Sequence, residues 1–237
     1  MSTVVAIALG GNQGDVSATF EIAIAKIGQI PSIQMIRQSR NYRTRSIGAD
    51  AGTDYINAAI LVETELTAEG LLDRLQSIEQ EHGRVRTVHW GPRPLDLDII
   101  RFGDEIIETQ RLMIPHPACW YRRFVLDPWC EIDDGWEHPV HRETVSQLRD
   151  RFRKRPLTFG FRNAISNSDR ITIEDVAAEF AGQFQEVESI DADLWITTDS
   201  HGKPQPRTFA CPSNRKLSEL VRFLFQSAID EPVPIRS

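Results

Sequence analysis

Cysteine is scarce in this chain, and the few cysteines present do not form a disulfide framework. Cys119, Cys130 and Cys211 are widely spaced, include no C-x-x-C pair and, being three, cannot all be paired within one chain. Reduced thiols fit this spacing best, so we expect a cytoplasmic protein.

The sequence also lacks a long apolar run and an excess of basic residues. The apolar stretch from Thr3 to Leu9 is much shorter than a membrane helix, has no basic leader and leads into a Gly-rich turn. The net charge of −7 and the pI near 5.4 argue against general nucleic-acid binding, which requires Lys and Arg to displace counterions. We expect neither a membrane nor a nucleic-acid partner, and any anionic ligand must be bound by a local group of cations.

The composition that remains is that of a folded protein with one or two hydrophobic cores, because 41% of the 237 residues are hydrophobic and 26% are charged. The apolar spacing predicts strands at Val4–Leu9, Ile33–Tyr42, Tyr55–Glu63 and Leu95–Phe102, and helices at Val16–Ile30 and from Thr67 to a cap at Gly83. This order favours an α+β fold, a ferredoxin-like sandwich with a mainly antiparallel sheet flanked by helices.

A basic run that ends at Pro156 is the predicted boundary between residues 1–155 and a small α/β C-terminal extension, 156–237, in which we find no chemical motif. Before the boundary, Pro128–Pro139 is expected to be irregular and Thr144–Phe152 helical. Within the extension we predict helices at Thr172–Phe184 and Leu217–Ile229, a strand at Leu194–Thr198 and a loop at His201–Pro206.

The chemically informative stretch is Asp96-Leu97-Asp98, at the start of a predicted strand. Side chains two apart on a strand share a face, so the two carboxylates are neighbours while Leu97 faces the core. Such a pair is costly to desolvate without a cation between them, and Mg²⁺ prefers carboxylate and phosphate oxygens. An isolated D-x-D is more often just the solvent face of an edge strand.

The neighbouring residues favour the metal site over that alternative. Arg84, Arg86, His89 and Arg93 precede the carboxylates in one loop of an acidic protein. Guanidinium groups bind phosphate oxygens in a bidentate way, while magnesium bridges the same oxygens. Metal carboxylates beside arginines indicate a polyphosphate site.

The stretch Trp90-Gly-Pro-Arg-Pro-Leu-Asp-Leu-Asp-Ile-Ile resembles the signature of the 6-hydroxymethyl-7,8-dihydropterin pyrophosphokinase family. Other segments agree in the same order and extend the likeness over roughly residues 1 to 155. They are Ala8-Leu-Gly-Gly-Asn12, Tyr42-Arg-Thr44, Tyr55-Ile-Asn-Ala-Ala59, Ile78-Glu79, Gly83-Arg-Val-Arg86, Ile114-Pro-His-Pro117 and Arg122-Arg-Phe-Val-Leu126. The family usually has Gly-Ser-Asn where this chain has Gly10-Gly11-Asn12, and the 86–90 loop is slightly shorter here.

The resemblance implies an ATP-dependent pyrophosphoryl transfer to the pterin alcohol in folate biosynthesis, with two Mg²⁺ ions on Asp96 and Asp98 and a monomeric enzyme. The residues it implies at the nucleotide are Gln76, Arg84, Arg86, Trp90, Arg93, Ile99, Arg111, His116 and Arg122, with Arg84 and Arg93 also catalytic. Glu79 is expected to organise the arginines rather than to meet substrate.

At the pterin the resemblance implies Thr44, Arg45, Ile47, Tyr55, Asn57 and Phe124. Aromatic faces suit stacking on a flat heterocycle, and an amide side chain both donates and accepts hydrogen bonds. Without the resemblance, Tyr55 and Phe124 would be read as ordinary core aromatics, and His138 and His141 are read as surface or packing residues. The alternatives are a non-catalytic nucleotide or pterin sensor and another metal-dependent transferase that uses D-x-D.

Overall fold

The fold is that of a computed structural model, which describes residues 2–45, 53–83, 93–161, 166–180, 182–187, 192–197, 205–211 and 216–235. Its strands are β1 (Thr3–Gly11), β2 (Ile33–Gln38), β3 (Tyr42–Thr44), β4 (Tyr55–Thr64), β5 (Asp96–Phe102), β6 (Ile107–Glu108), β7 (Met113–Ile114), β8 (Leu157–Phe161), β9 (Phe184–Glu186), β10 (Leu194–Thr197), β11 (Thr208–Ala210) and β12 (Val233–Pro234). Its helices are α1 (Val16–Gly28), α2 (Ala68–Glu81), α3 (Arg123–Asp133), α4 (Val145–Arg151), α5 (Asn167–Ala178) and α6 (Leu217–Ile229).

The first sheet is antiparallel, with β1 between β4 and β5. Both β2 and β3 pair with β4, β2 along its second half and β3 along its first. The predicted single strand Ile33–Tyr42 is therefore interrupted. The interruption occurs at Ser39, whose Oγ accepts a hydrogen bond from the Ala59 amide at 2.9 Å in place of a regular ladder bond. The order β1–α1–β2/β3–β4–α2–β5 is that of a ferredoxin-like sandwich, so the predicted fold class is confirmed.

Helices α1 and α2 cover one face of this sheet. The Asp15 carboxylate accepts from the Ala18 amide and the Thr67 hydroxyl from the Gly70 amide, so both helices begin at capped residues. Gly83, just past the second helix, has φ +81°, a conformation that favours glycine at a helix end. Between the helices and the sheet lies a core that includes Ile7, Leu9, Phe20, Ile60, Leu75 and Leu97.

The other face of the sheet packs against α3, where we predicted irregular structure. The helix contains Pro128, which lacks an amide hydrogen and is the first of several turn-forming residues in the segment Pro128–Pro139. The apolar face outweighs this loss, because Leu126, Trp129 and Ile132 are all buried and Trp129 stacks on Trp136 at 5.3 Å between ring centroids. The prediction of irregular structure for Pro128–Pro139 was therefore wrong for residues 128–133, which are helical, and is confirmed for residues 134–139.

Residues after 155 form a second sheet, in which β11, β10, β8 and β9 pair in parallel in that order. Helix α6 has the predicted bounds, but α5 begins at Asn167 rather than Thr172, because the Ser166 hydroxyl caps it. Phe184, predicted to be helical, instead enters β9 and stacks on Phe225 at 3.9 Å. The strands β8, β9, β11 and β12 were not predicted.

The second hydrophobic core is continuous across residue 155. It joins Ala59 and Leu61 of the first sheet to Trp129 of α3 and onward to Phe159 and Phe225 of the extension. Strand β12 also pairs with β3 and so belongs to the first sheet. In the described part of the chain, no helix has the length and apolar character to cross a membrane.

Candidate active site

Strand β5 carries Asp96 and Asp98 on one face. Their cross-strand partners on β1 are Gly10 and Ala8, while Leu97 between them is buried on the opposite face against α1 and α2. Both aspartates are half-buried. The strand therefore presents two neighbouring carboxylates, as predicted from the alternation of the sequence.

The backbone between the two aspartates is held by a buried carboxylate from α2. Glu79 is 2% exposed, and its Oε1 accepts a hydrogen bond from the Leu97 amide at 2.7 Å. An amide hydrogen bond to a charged group is stronger than one to a neutral acceptor. Glu79 thus fixes the strand register that aims the aspartates, a contact to the backbone that the sequence did not indicate.

The Gly10-Gly11-Asn12 turn joins the end of β1 to the start of β5. A Cβ at Gly11 would lie 2.6 Å from the Pro94 carbonyl oxygen, so in this chain the two segments are packed more closely than the serine usual in the family would allow. Asn12 and Arg93 share two hydrogen bonds. The backbone N–H of Asn12 donates to the Arg93 carbonyl at 3.0 Å, and the side-chain Oδ1 of Asn12 accepts from the backbone N–H of Arg93 at 2.9 Å. The turn positions the backbone of a candidate catalytic arginine.

Asn12 also reaches a third segment, since its backbone oxygen accepts from the Thr53 hydroxyl at 2.7 Å. Buried at 6% exposure, it links the residues that lead into β4 with those that lead into β5. We had treated Asn12 only as part of a motif. An asparagine directly after two glycines at a strand end was the signal for this role, because its amide bonds readily to nearby backbone.

Arg93 forms an ion pair with the first aspartate. Its Nη1 donates to Asp96 Oδ2 at 2.6 Å, and both side chains are about a fifth exposed, at 22% each. Burial raises the pKa of Tyr55, which the Arg93 charge opposes and the Asp96 charge reinforces. The phenol of Tyr55 therefore lies within electrostatic reach of this ion pair and stays neutral.

His116 is the next group around Asp96. Its Nδ1 accepts from the Ala118 amide at 3.2 Å, so in the neutral ring the proton is on Nε2. Burial and, to a smaller extent, the Arg122 charge lower the pKa of His116 to about 4, while the Asp96 charge acts to raise it. The ring is a neutral Nε2–H donor between a cation and a carboxylate, a form suited to a phosphate oxygen.

The other groups predicted at the nucleotide lie on two sides of β5. Arg122 is at the N-cap of α3, on the face of the aspartates, and its guanidinium lies over the ring of Phe124 at 5.6 Å. Ile99 lies on the opposite face, packed in the core with α2, the helix that carries Gln76. Arg111 is tied to that helix by an ion pair with Asp73 at 2.5 Å.

Polar side chains of β3 and β4 continue the row of the aspartates across the sheet. Asn57 pairs with Gly10 on one side, and Gly10 in turn pairs with Asp96. The Asn57 Nδ2 donates to Thr44 Oγ1 at 2.9 Å, and these side chains are 6% and 4% exposed. The lack of a Cβ at Gly10 leaves Asn57 and Asp96 without an intervening side chain, since such a Cβ would lie 3.6 Å from Asn57 Oδ1. Arg45 follows Thr44 and is exposed.

Comparison with known proteins decides the family. The model of the 7,8-dihydro-6-hydroxymethylpterin-pyrophosphokinase family matches residues 6–134. The chain belongs to this family. The resemblance that the motifs indicated is thereby confirmed, together with the class of enzyme, a pyrophosphokinase.

The matches to two named relatives cover most of the length of each relative. The 2-amino-4-hydroxy-6-hydroxymethyldihydropteridine pyrophosphokinase of Synechocystis sp. is 43% identical over 142 residues, 60% of this chain and 72% of the relative. That of Haemophilus influenzae is 43% identical over 147 residues, 61% of this chain and 92% of the relative.

Solved structures support the fold. The wild-type HPPK-DHPS protein of Plasmodium falciparum matches with a TM-score of 0.52 at 11% identity, over 83% of this chain and 57% of that chain. An HPPK-DHPS protein in complex with substrates matches with a TM-score of 0.50 at 12% identity, over 87% of this chain and 59% of that chain. At such identity the likeness concerns the fold alone, and this chain spans less than two thirds of either one.

Within this pyrophosphokinase, four of the predicted site residues lie outside the described residues: Ile47, Arg84, Arg86 and Trp90. The remaining predicted residues have the positions given above. The structure brings Asp96, Arg93, His116 and Tyr55 into one electrostatic group and places Asn57 and Thr44 beside it. The charged side chains Arg93 and Asp96 and the polar side chains Asn57 and Thr44 are therefore adjacent on one face of the sheet.

The donor set of this pyrophosphokinase fits magnesium. Two half-buried carboxylates on adjacent like-facing positions of β5 supply the hard oxygen ligands that Mg²⁺ prefers, and ATP phosphates and water supply others in such sites. Arg93 compensates the charge of Asp96 in the described structure.

His138 and His141 lie apart from this site and are packing residues. Their rings are 4.1 Å apart between centroids and 4% and 7% exposed. Burial lowers the pKa of His138 to about 4 and that of His141 to about 2, the latter aided by the charges of His138 and Arg207. His141 Nδ1 accepts from the Arg207 amide at 2.8 Å, so this histidine holds the extension against the family domain.

Proposed function

We propose that this chain transfers the pyrophosphoryl group of ATP to 6-hydroxymethyl-7,8-dihydropterin and releases AMP. The observation that carries the proposal is the row formed by Asp96, Gly10 and Asn57 on one sheet face. It places a carboxylate able to bind a metal ion beside an amide able to bind the edge of a heterocycle. In the reaction the hydroxymethyl oxygen forms a bond to the β-phosphorus, and its O–H bond breaks as the proton passes to water. The bond from that phosphorus to the α,β-bridging oxygen breaks, and AMP leaves with the electron pair.

The residues of this face supply binding and orientation. Asp96 and Asp98 would hold two Mg²⁺ ions, which neutralise phosphate charge when bound. Arg93, His116 and Arg122 donate to phosphate oxygens around them, together with Arg84 and Arg86 of the preceding loop. Among the described groups, Glu79 holds the strand that carries Asp96 and Asp98, Asn12 holds the Arg93 backbone and the start of α3 holds Arg122 before substrate arrives, so little reorganisation opposes the transition state.

The remaining predicted residues complete the two ligand sites. On the nucleotide side we assign Gln76, Trp90, Ile99 and Arg111. On the pterin side we assign Thr44, Arg45, Ile47, Tyr55, Asn57 and Phe124. The Asn57 amide satisfies one hydrogen bond on Thr44 and keeps its Oδ1 and a second N–H for the edge of a heterocycle.

The proposal includes the setting of the enzyme. We propose a cytoplasmic monomer that acts on small molecules rather than nucleic acid or membranes, with residues 1–155 as the family domain and 156–237 as an extension. All three cysteines are free thiols, Cys119 and Cys211 buried and Cys130 half-buried, and burial raises the pKa of each thiol to about 12, which makes them poorly reactive.

The test is product formation by the wild type and by Asp98→Asn. The variant keeps the size of the side chain and removes its charge, so we expect unchanged thermal unfolding and loss of turnover by at least a hundredfold, roughly the range for removing one electrostatic contributor. Asp175→Asn, on the exposed face of α5, is the matched control and should keep full activity. AMP and the pterin pyrophosphate are measured after incubation with ATP, Mg²⁺ and the hydroxymethylpterin.

Two outcomes contradict the proposal. Near-normal product formation by Asp98→Asn would remove the carboxylate from the mechanism. Wild-type protein that binds MgATP and pterin without forming AMP would instead be a non-catalytic sensor of these ligands.

A further inference from the structure

The C-terminal extension contacts a residue that the proposed function assigns to ATP. Phe223 of α6 lies under the guanidinium of Arg122, with 5.1 Å from the Arg122 Cζ to the ring centroid. Tyr121 and Phe124 contribute two further rings at 5.8 and 5.6 Å. Two of the three rings belong to the family domain, and the nearest comes from the extension.

This aromatic setting holds the guanidinium without using up its hydrogen-bond donors. The Arg122 Nε is buried and has no hydrogen-bond partner among the residues described. Ring faces attract a cation through their quadrupole and do not replace an N–H acceptor. The guanidinium is therefore positioned largely by ring packing, and its Nε–H is not committed to a protein acceptor among the described residues.

The position of α6 is fixed at its C-terminal end. The Ile229 carbonyl accepts from Arg155 Nη2 at 3.1 Å, and two residues of β12 pair with Tyr42 and Arg43 of β3. The Ile235 amide continues this pairing by donating to the Asn41 carbonyl at 2.8 Å. The same segment thus reaches β3, the strand that ends at Thr44, a residue assigned to the pterin.

We propose that Phe223 is a positioning residue for the pyrophosphoryl transfer, and that α6 and β12 form part of the nucleotide site by holding Arg122 in place. The inference rests on the proposed function of Arg122 as a phosphate ligand. Its consequence is that residues beyond the family domain contribute to ATP binding.

The test compares Phe223→Leu with Phe180→Leu. Phe180 is also partly buried and packs on two other phenylalanines of the extension, Phe184 and Phe225, so its substitution removes a similar ring away from Arg122. We expect Phe223→Leu to raise the MgATP Kd and the KM for ATP about three- to tenfold, the range for losing one cation–π contact, with little change in the KM for pterin. Phe223→Tyr keeps the ring face and should restore wild-type values.

MgATP binding is measured by calorimetry separately from product formation. If Phe223→Leu binds MgATP like the wild type, or if Phe180→Leu loses as much affinity, the positioning role is wrong while the proposed function stands. If the wild type binds MgATP but forms no pterin pyrophosphate, the proposed function fails. Selective weakening by Phe223→Leu would then still support the contact with Arg122.

Discussion

The buried pair His138 and His141 makes the stability of this protein depend on pH below neutrality. Both rings are almost fully buried, and their pKa values of about 4 and about 2 lie far below the ordinary value of 6.5. In the unfolded chain both histidines take up protons as the pH falls through 6.5, whereas the folded chain resists until much lower pH. Folding stability therefore falls as the pH drops from about 6.5 toward 4.

The size of the effect follows from these values. At pH 5 the pH lies about 1.5 units below the pKa of a histidine in the unfolded chain. Protonation of each such histidine therefore stabilises the unfolded state by about 2 kcal/mol relative to pH 7. Two histidines that stay neutral in the folded chain give about 4 kcal/mol. That is a large part of the roughly 5 to 15 kcal/mol by which domains are stable.

The assay is urea unfolding of the wild type and of His138→Asn/His141→Asn at pH 7, 6 and 5. Asparagine Oδ1 can accept the bonds that Nδ1 accepts now, including the one from the Arg207 amide, and it does not titrate. His116 and Asp230, whose pKa values are also shifted, titrate in both proteins and cancel in the difference. A double variant that loses as much stability between pH 7 and pH 5 as the wild type would refute the reasoning.

Three further predictions concern the backbone and the core. Gly11→Ser should cost about 1 to 3 kcal/mol in urea unfolding, since its Cβ would meet the Pro94 carbonyl oxygen at 2.6 Å, whereas Gly135→Ser has free space and should cost much less; equal costs would contradict the clash. Glu79→Ala should lower kcat, and it should lower the free energy of unfolding by about 1 to 3 kcal/mol because the buried Leu97 amide is left unsatisfied. Substitution of the exposed neighbour, Gln80→Ala, should change neither. An unchanged kcat in Glu79→Ala would show that Glu79 does not act on the site. A chain ending at residue 155 should bind the dye ANS and lose cooperative unfolding because the second core is cut open, and a cooperative transition at the wild-type temperature would show that residues 1–155 fold alone.

The first half of the fold could be predicted from the sequence because local signals agree there with tertiary packing. Asp15 and Thr67 cap helices at the expected positions, and the alternation around Leu97 correctly places both aspartates on one face. Such positions depend on nearest neighbours and on a period of two or 3.6 residues. In the candidate site, the residues themselves indicated the Asp96–Asp98 pair and the neighbouring arginines, whereas the other site residues came from the family resemblance. The roles of all of them stay predictions.

The second half could not be predicted as well, because its elements depend on distant partners. The helix through Pro128 is stable because Trp129 finds a buried stacking partner in Trp136, which no local pattern reveals. Strands of two to five residues such as β8, β11 and β12 are too short for a periodic signal and form only where a neighbouring strand supplies hydrogen bonds. The contact of Phe223 with Arg122 joins residues about a hundred positions apart and has no signature in the sequence.

The pairing of β12 with β3 has a consequence during protein synthesis. Tyr42 and Arg43 leave the ribosome long before Val233 and Pro234, so the edge of the first sheet waits for its last partner until nearly the whole described chain has emerged. A nascent or clipped polypeptide without that partner would carry an open strand beside Thr44. Proteolytic removal of Val233 and Pro234 would thereby expose the β3 edge without a cut in residues 1–155.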